Sequence, residues 1–185
     1  MRLVDKSGLC QRLTGSCMPL DLGRIYDAHA SSLFAYLFNL TRNDAETRDL
    51  LQELFLKLAS RPQAFDEVRD ERAWLIRFAH HLFVDGYRRR TSRDRAADRA
   101  TENSPHLFEA ADESDEESFR RALSVAMQTL PVDQRAVVHL KLWEEMTFAE
   151  IAGAIGVSLN TAASRYRYGI DKLREALRPL YEEVQ

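Results

Sequence analysis

The chain has 185 residues, enough for one medium domain or two small ones. Apolar residues make up 45% and charged residues 30%, an ordinary globular composition, and no apolar run approaches the roughly 20 residues that span a bilayer. The net charge of −3 argues against a uniformly basic nucleic-acid binder, yet the charge is segregated: arginines crowd between Arg88 and Arg99, and carboxylates between Glu109 and Glu117.

Residues 1–20 read as a loose N-terminal tail without the apolar core of a signal peptide. Its Cys10 and Cys17 have no histidine near them in sequence, so neither a metal site nor a disulfide framework is expected, and a reducing cytoplasm suits them. From Leu22 the pattern turns helical, with Ile25, Leu33, Tyr36, Leu37 and Leu40 on one stripe. Asp44 is the expected N-cap of a second helix. Its apolar stripe is Leu50, Leu51, Leu54, Phe55 and Leu58, its opposite side Asp49, Gln52 and Glu53, and Pro62 ends it. A third helix is predicted over 71–89, with Trp74, Leu75, Phe78, Leu82 and Phe83 as its apolar positions. It closes in arginines, which complement the negative end of the helix dipole.

Residues 21–95 thus form one helical domain. Residues 96–118 are rich in charge, contain Pro105 and hold few large apolar side chains, the signature of a flexible acidic linker. A second helical domain is predicted over 119–185. Its first helix carries Leu123, Val125, Ala126 and Leu130; Pro131 suits the first turn of the next, which carries Val137, Val138, Leu140, Leu142 and Trp143. Thr147 and Glu150 have the spacing of a capping box at the start of a short helix, Phe148 to Ile155. Gly156 supplies a left-handed turn and Ser158 caps a last helix running to about Arg178. The predicted fold is therefore all-α: two small helical domains, the second containing a helix-turn-helix.

In that motif Ala162, Tyr166, Ile170 and Leu173 step by four, four and three and face inward. The outward face presents Asn160, Thr161, Ser164, Arg165, Arg167, Tyr168 and Lys172. Such a face donates hydrogen bonds to phosphates and base edges in a major groove, where an arginine can bridge the two acceptors of a guanine.

The whole array, from about Leu22 to Leu180, resembles a sigma-70 family RNA polymerase sigma factor of the small extracytoplasmic-function (ECF) group. "DLLQELFLKL", Asp49 to Leu58, is similar to the family's region 2.2. "AWLIRFAHHLFVDGYRRR", Ala73 to Arg90, is similar to regions 2.3 and 2.4. "LPVDQRAVVHLKLWEEMTFAEIAGAIGVSLNTAASRYRYGIDKLR", Leu130 to Arg174, is similar to region 4.

The resemblance implies a promoter-specificity factor that binds core RNA polymerase at its clamp and flap. Asp49, Gln52 and Glu53 would dock on the clamp. Arg72, Trp74, Arg77, His81, Arg88, Arg89 and Arg90 would open and read the −10 element, although the residues themselves favour Trp74 as a core anchor over a base-stacking surface. The outward face of the last helix would read the −35 element, and an anti-sigma factor is a further partner of many relatives. The chain departs from the family pattern at His81, where asparagine is common, and at Ala163 and Gly169, where a lysine and a small alanine are usual. Glycine inside a helix costs about 1 kcal/mol relative to alanine, and Tyr166 and Tyr168 are expected to fill the space beside it.

A polymerase-independent helix-turn-helix regulator is the alternative, but it normally dimerises, and no spare apolar helix is evident. No Gly-rich phosphate loop, HExxH or nucleophile elbow points to an enzyme. No cofactor, metal or membrane insertion is expected.

Overall fold

The apolar stripes define the helices. In the computed structural model, which describes residues 20–65, 68–94 and 115–182, α1 spans Leu22–Thr41 and buries Ile25, Leu33, Tyr36, Leu37 and Leu40, the predicted stripe. Asp21 caps it, accepting the Arg24 N–H at 2.9 Å. Arg42 takes the left-handed conformation that ends it (φ 56°). The second helix, α2 (Asp44–Ser60), is capped by Asn43 rather than Asp44. The Asn43 side chain accepts the Glu46 N–H at 3.0 Å, which leaves Asp44 and Glu46 in the first turn, where their charges favour the helix dipole. Thr47, fully buried, ties the same corner together through Thr41.

A 3-10 turn over Pro62–Phe65 leads toward α3 (Glu71–Asp94). The Asp70 carboxylate caps α3 at the Ala73 N–H (2.9 Å). The helix runs five residues past the predicted Arg89 end. Helices α1, α2 and α3 pack on one another.

The second half begins with α4 (Asp115–Thr129), which takes in the last four residues of the expected 96–118 linker. The rest of that linker, the N-terminal residues 1–19 with Cys10 and Cys17, and Arg95 and Arg99 lie outside the described residues. Ala126, Met127 and Leu130 are buried while Val125, expected inward, is exposed. Pro131 stands at the N-cap of α5 (Val132–Leu142) rather than in its first turn, its extended backbone leading into the helix. A turn with Glu145 at φ 52° precedes α6 (Phe148–Ile155). The Thr147–Glu150 capping box is present in both directions, and Gly156 is left-handed at φ 72°. Ser158 accepts the Thr161 N–H at 3.1 Å to open α7 (Leu159–Glu182).

The two halves touch. Helix α5 lies on α1 and α6 on α3, and one apolar cluster runs through the contact, from Ile25, Tyr36 and Leu75 to Val137, Leu140 and Ile151. A second cluster, Met127, Leu130, Val138, Leu173 and Leu177, holds α4, α5 and α7 together. All described elements are helical. None of the described helices is long and apolar enough to cross a membrane.

Candidate nucleic-acid interface

The turn at Gly156 aims α7 across α5 and α6. Ala162 and Leu173 are buried beneath it, and Tyr166, half-buried, stands edge-on to Phe148. The opposite side is polar. Asn160, Arg167, Tyr168 and Lys172 are exposed, and the Arg167 guanidinium lies 5.1 Å over the Tyr168 ring. Thr161 and Ser164 are partly exposed, but their hydroxyls are engaged within the helix, with Ser158 and with the Thr161 carbonyl respectively. Arg165 stands at the edge of that face. It pairs with Asp133 of α5 at 2.7 Å and keeps 28% of its side-chain surface exposed.

Gly169 also has a different explanation from the one its neighbours suggested. It is buried, and a Cβ built on it would stand 2.6 Å from Val138 Cγ2. No space exists for a tyrosine to fill, and Tyr168 points to solvent. The glycine lets the α7 backbone approach α5.

On α3, Arg77, His81, Arg88, Arg89 and Arg90 lie on the surface. Arg89 donates to the Asp85 carbonyl at 3.2 Å, and Arg90 pairs with Glu46 of α2. His80, next to His81 in sequence, turns inward and shares a 2.9 Å hydrogen bond with the Tyr36 hydroxyl. Burial, then the charge of His81, pushes His80 down to about 4, and burial also pushes the Tyr36 hydroxyl up. Trp74 meets Phe65 edge-on and Phe78 at a tilt, so it anchors the core. Its remaining face lines a cavity of about 420 Å³ shared with Leu58, Ala64, Lys57 and Arg61, an aromatic wall beside two cations. Arg72 is the exception on this helix: its Nε donates to Glu144 of the second half at 2.8 Å, and its terminal nitrogen donates to the Glu144 carbonyl.

On α2, Asp49 and Gln52 are exposed, and Glu53 pairs with Lys57 one turn on at 2.8 Å. Beside them lies a cavity of about 570 Å³ whose apolar wall is Tyr26, Phe34, Leu51, Phe55 and Leu56, edged by Arg48 and Gln52. Leu56 is 63% and Tyr26 50% exposed. Tyr26 and Leu56 were missed in the sequence because they stand off the stripes of their own helices; the signal available was a large apolar residue placed on a polar face. Among the described residues no group of three or more His, Cys, Asp or Glu side chains gathers to hold a metal ion.

The model for sigma-70 region 2 matches residues 25–93 and that for sigma-70 region 4 matches residues 120–173. The ECF RNA polymerase sigma factor SigL of Mycobacterium tuberculosis is 30% identical over 158 residues, covering 84% of this chain and 88% of SigL. The RNA polymerase sigma factor CarQ of Myxococcus xanthus is 32% identical over 160 residues, covering 86% and 91%. The fold is that of the sigma factor RpoE in its co-crystal with the anti-sigma factor NepR from Bartonella quintana, with a TM-score of 0.71, 22% identity and coverage of 85% of this chain and 97% of that one. Two matched regions in order, and relatives of the same length sharing about a third of their residues, place this chain in the sigma-70 family, among the ECF RNA polymerase sigma factors that direct transcription initiation by promoter recognition.

Proposed function

We propose that residues on three separate helix faces divide the work of promoter recognition. The exposed face of α2, Asp49, Gln52 and Glu53 with the apolar groove at Tyr26 and Leu56, docks core RNA polymerase at the clamp, and the second half meets the flap. Carboxylates around an apolar patch set orientation and on-rate, while the patch supplies affinity. The α3 face, Arg77, His81, Arg88, Arg89 and Arg90, lies along the −10 element; its arginines neutralise phosphates, and the Trp74 wall offers a surface for an unstacked base. Arg72 joins this face when its pair with Glu144 opens. The α7 face, Asn160, Thr161, Ser164, Arg165, Arg167, Tyr168 and Lys172, enters the major groove at the −35 element.

The observation that carries this reading is the polar face of α7 on a helix-turn-helix set behind a region 2 match in the same chain. In this reading the chain works in the cytoplasm without a cofactor, the linker spans the two elements, and an anti-sigma factor is a further partner. The test is Glu53→Arg. The variant is expected to keep its helix content and lose retention of core polymerase in a pull-down; normal retention would mean that the docking face lies elsewhere.

A further inference from the structure

We infer that Arg135 of α5 and Arg42 at the end of α1 form a binding site for one small oxyanion of the phosphate class. Arg135 is only 6% exposed, yet its Nε and one terminal nitrogen have no hydrogen-bond partner. Carboxylates on the flanking turns are committed elsewhere: Asp133 to Arg165, Asp44 to Arg48 and Glu46 to Arg90. Among the described residues none pairs with Arg135 or Arg42. Buried polar groups are normally satisfied and buried cations normally paired, so an orphaned guanidinium at this depth calls for an anionic ligand.

The backbone brings the two arginines to one corner. Asn39 of α1 and His139 of α5 share a 2.8 Å hydrogen bond, which seats one helix on the other. Arg42 follows Asn39 by one turn, and Arg135 precedes His139 by one turn. The charge of Arg42 is accordingly felt at Arg135. Burial, then that like charge, pushes Arg135 down to about 10, so it is still protonated at neutral pH.

The helix dipole is reason enough for Arg42, a cation at the negative end of α1. It gives no reason for Arg135, which stands near the positive end of α5. Pro131 offers that end no side-chain cap. Helical side chains lean toward the N-terminus of their helix, which carries the Arg135 guanidinium toward the uncapped turn. The corner therefore gathers donors: two guanidiniums and a helix N-terminus. An oxyanion turns their repulsion into charge-assisted hydrogen bonds, and its several acceptor oxygens favour it over chloride. Arg135 is the buried floor and Arg42 the exposed mouth. Such a site admits a free anion and keeps out the backbone of a duplex.

The site is independent of the promoter reading, and its test uses the full chain with inorganic phosphate. Thermal unfolding is followed in phosphate and in chloride at equal ionic strength. If phosphate dissociates at about 1 mM, 10 mM is expected to raise Tm by about 3–6 °C. Arg135→Met replaces the unpaired charge with an apolar chain. It is expected to melt at or above wild type in chloride and to lose the phosphate increment. Arg42→Gln, at an exposed position, is expected to keep the wild-type Tm in chloride and to weaken phosphate binding about ten-fold by calorimetry. Equal wild-type Tm in the two salts, or an undiminished phosphate increment in both variants, would overturn the site. So would Arg135→Met melting well below wild type in chloride, because the chain would then satisfy that guanidinium itself. Displacement of phosphate by a duplex of random sequence would overturn it too, since the corner would then be a contact for DNA backbone.

Discussion

Gly169 shows how a single position can reverse the meaning of a propensity. Alanine is the better helix former by about 1 kcal/mol, yet its methyl would press on Val138, a buried β-branched side chain with little freedom at χ1. Gly169→Ala is therefore expected to lower stability by about 1–3 kcal/mol, read as a lower urea midpoint with an unchanged slope; a midpoint at or above wild type would show that α7 can shift away. Asp133 acts differently. It neutralises Arg165, so Asp133→Asn is expected to free that cation and steepen the salt dependence of −35 duplex binding by about one unit of slope. An unchanged slope would leave Arg165 without a phosphate role. The histidines set a pH dependence. His80 and His139 are both held near 4 by burial, below the ordinary value of about 6.5. Below about pH 6.5 the unfolded chain takes up protons that the folded chain refuses until about 4, so stability is full above that range and falls across it. Glu71 and Glu150, held low by Arg24 and by Thr147, lose their contribution only at more acidic pH. A drop in the urea midpoint between pH 7.5 and 5 thus reports the histidines; equal midpoints would mean that the rings are hydrated.

At the scale of elements, much of the architecture was legible because each helix carries its own signal. The stripes of α1 and α2, the capping box of α6 and the glycine turn before α7 are local, and local chemistry fixed them. The errors were also local. Asn43 and Asp44 both cap well, and the competition turned on which carbonyl side chain reached the Glu46 N–H. Arginines ran on as helix in α3, since nothing in "RRRTSRD" breaks one. The α2 face proposed for docking was readable as a polar side, whereas the groove beside it needs Tyr26 of α1 to meet Phe55 of α2, ring centroids 5.0 Å apart, which no single helix reports. Glu53→Arg addresses this element: only an exposed pair with Lys57 is lost, so α2 is expected to remain folded while polymerase retention fails.

For the whole molecule, the order of helices was open to the sequence and the closure of the halves was not. Arg72 and Glu144 are 72 residues apart, Asn39 and His139 are 100 apart, and neither pair belongs to a periodic pattern. Two helical domains on a tether were expected, and the described residues of the two halves also share an apolar cluster across α1, α3, α5 and α6, which no local pattern announced. The most direct test of the account is run-off transcription with core polymerase on a genomic promoter library. The account predicts discrete start sites that require both the chain and core polymerase, sharing one sequence at −10 and another at −35. Transcripts at random positions, or a chain that binds a palindrome as a dimer without polymerase, would contradict it.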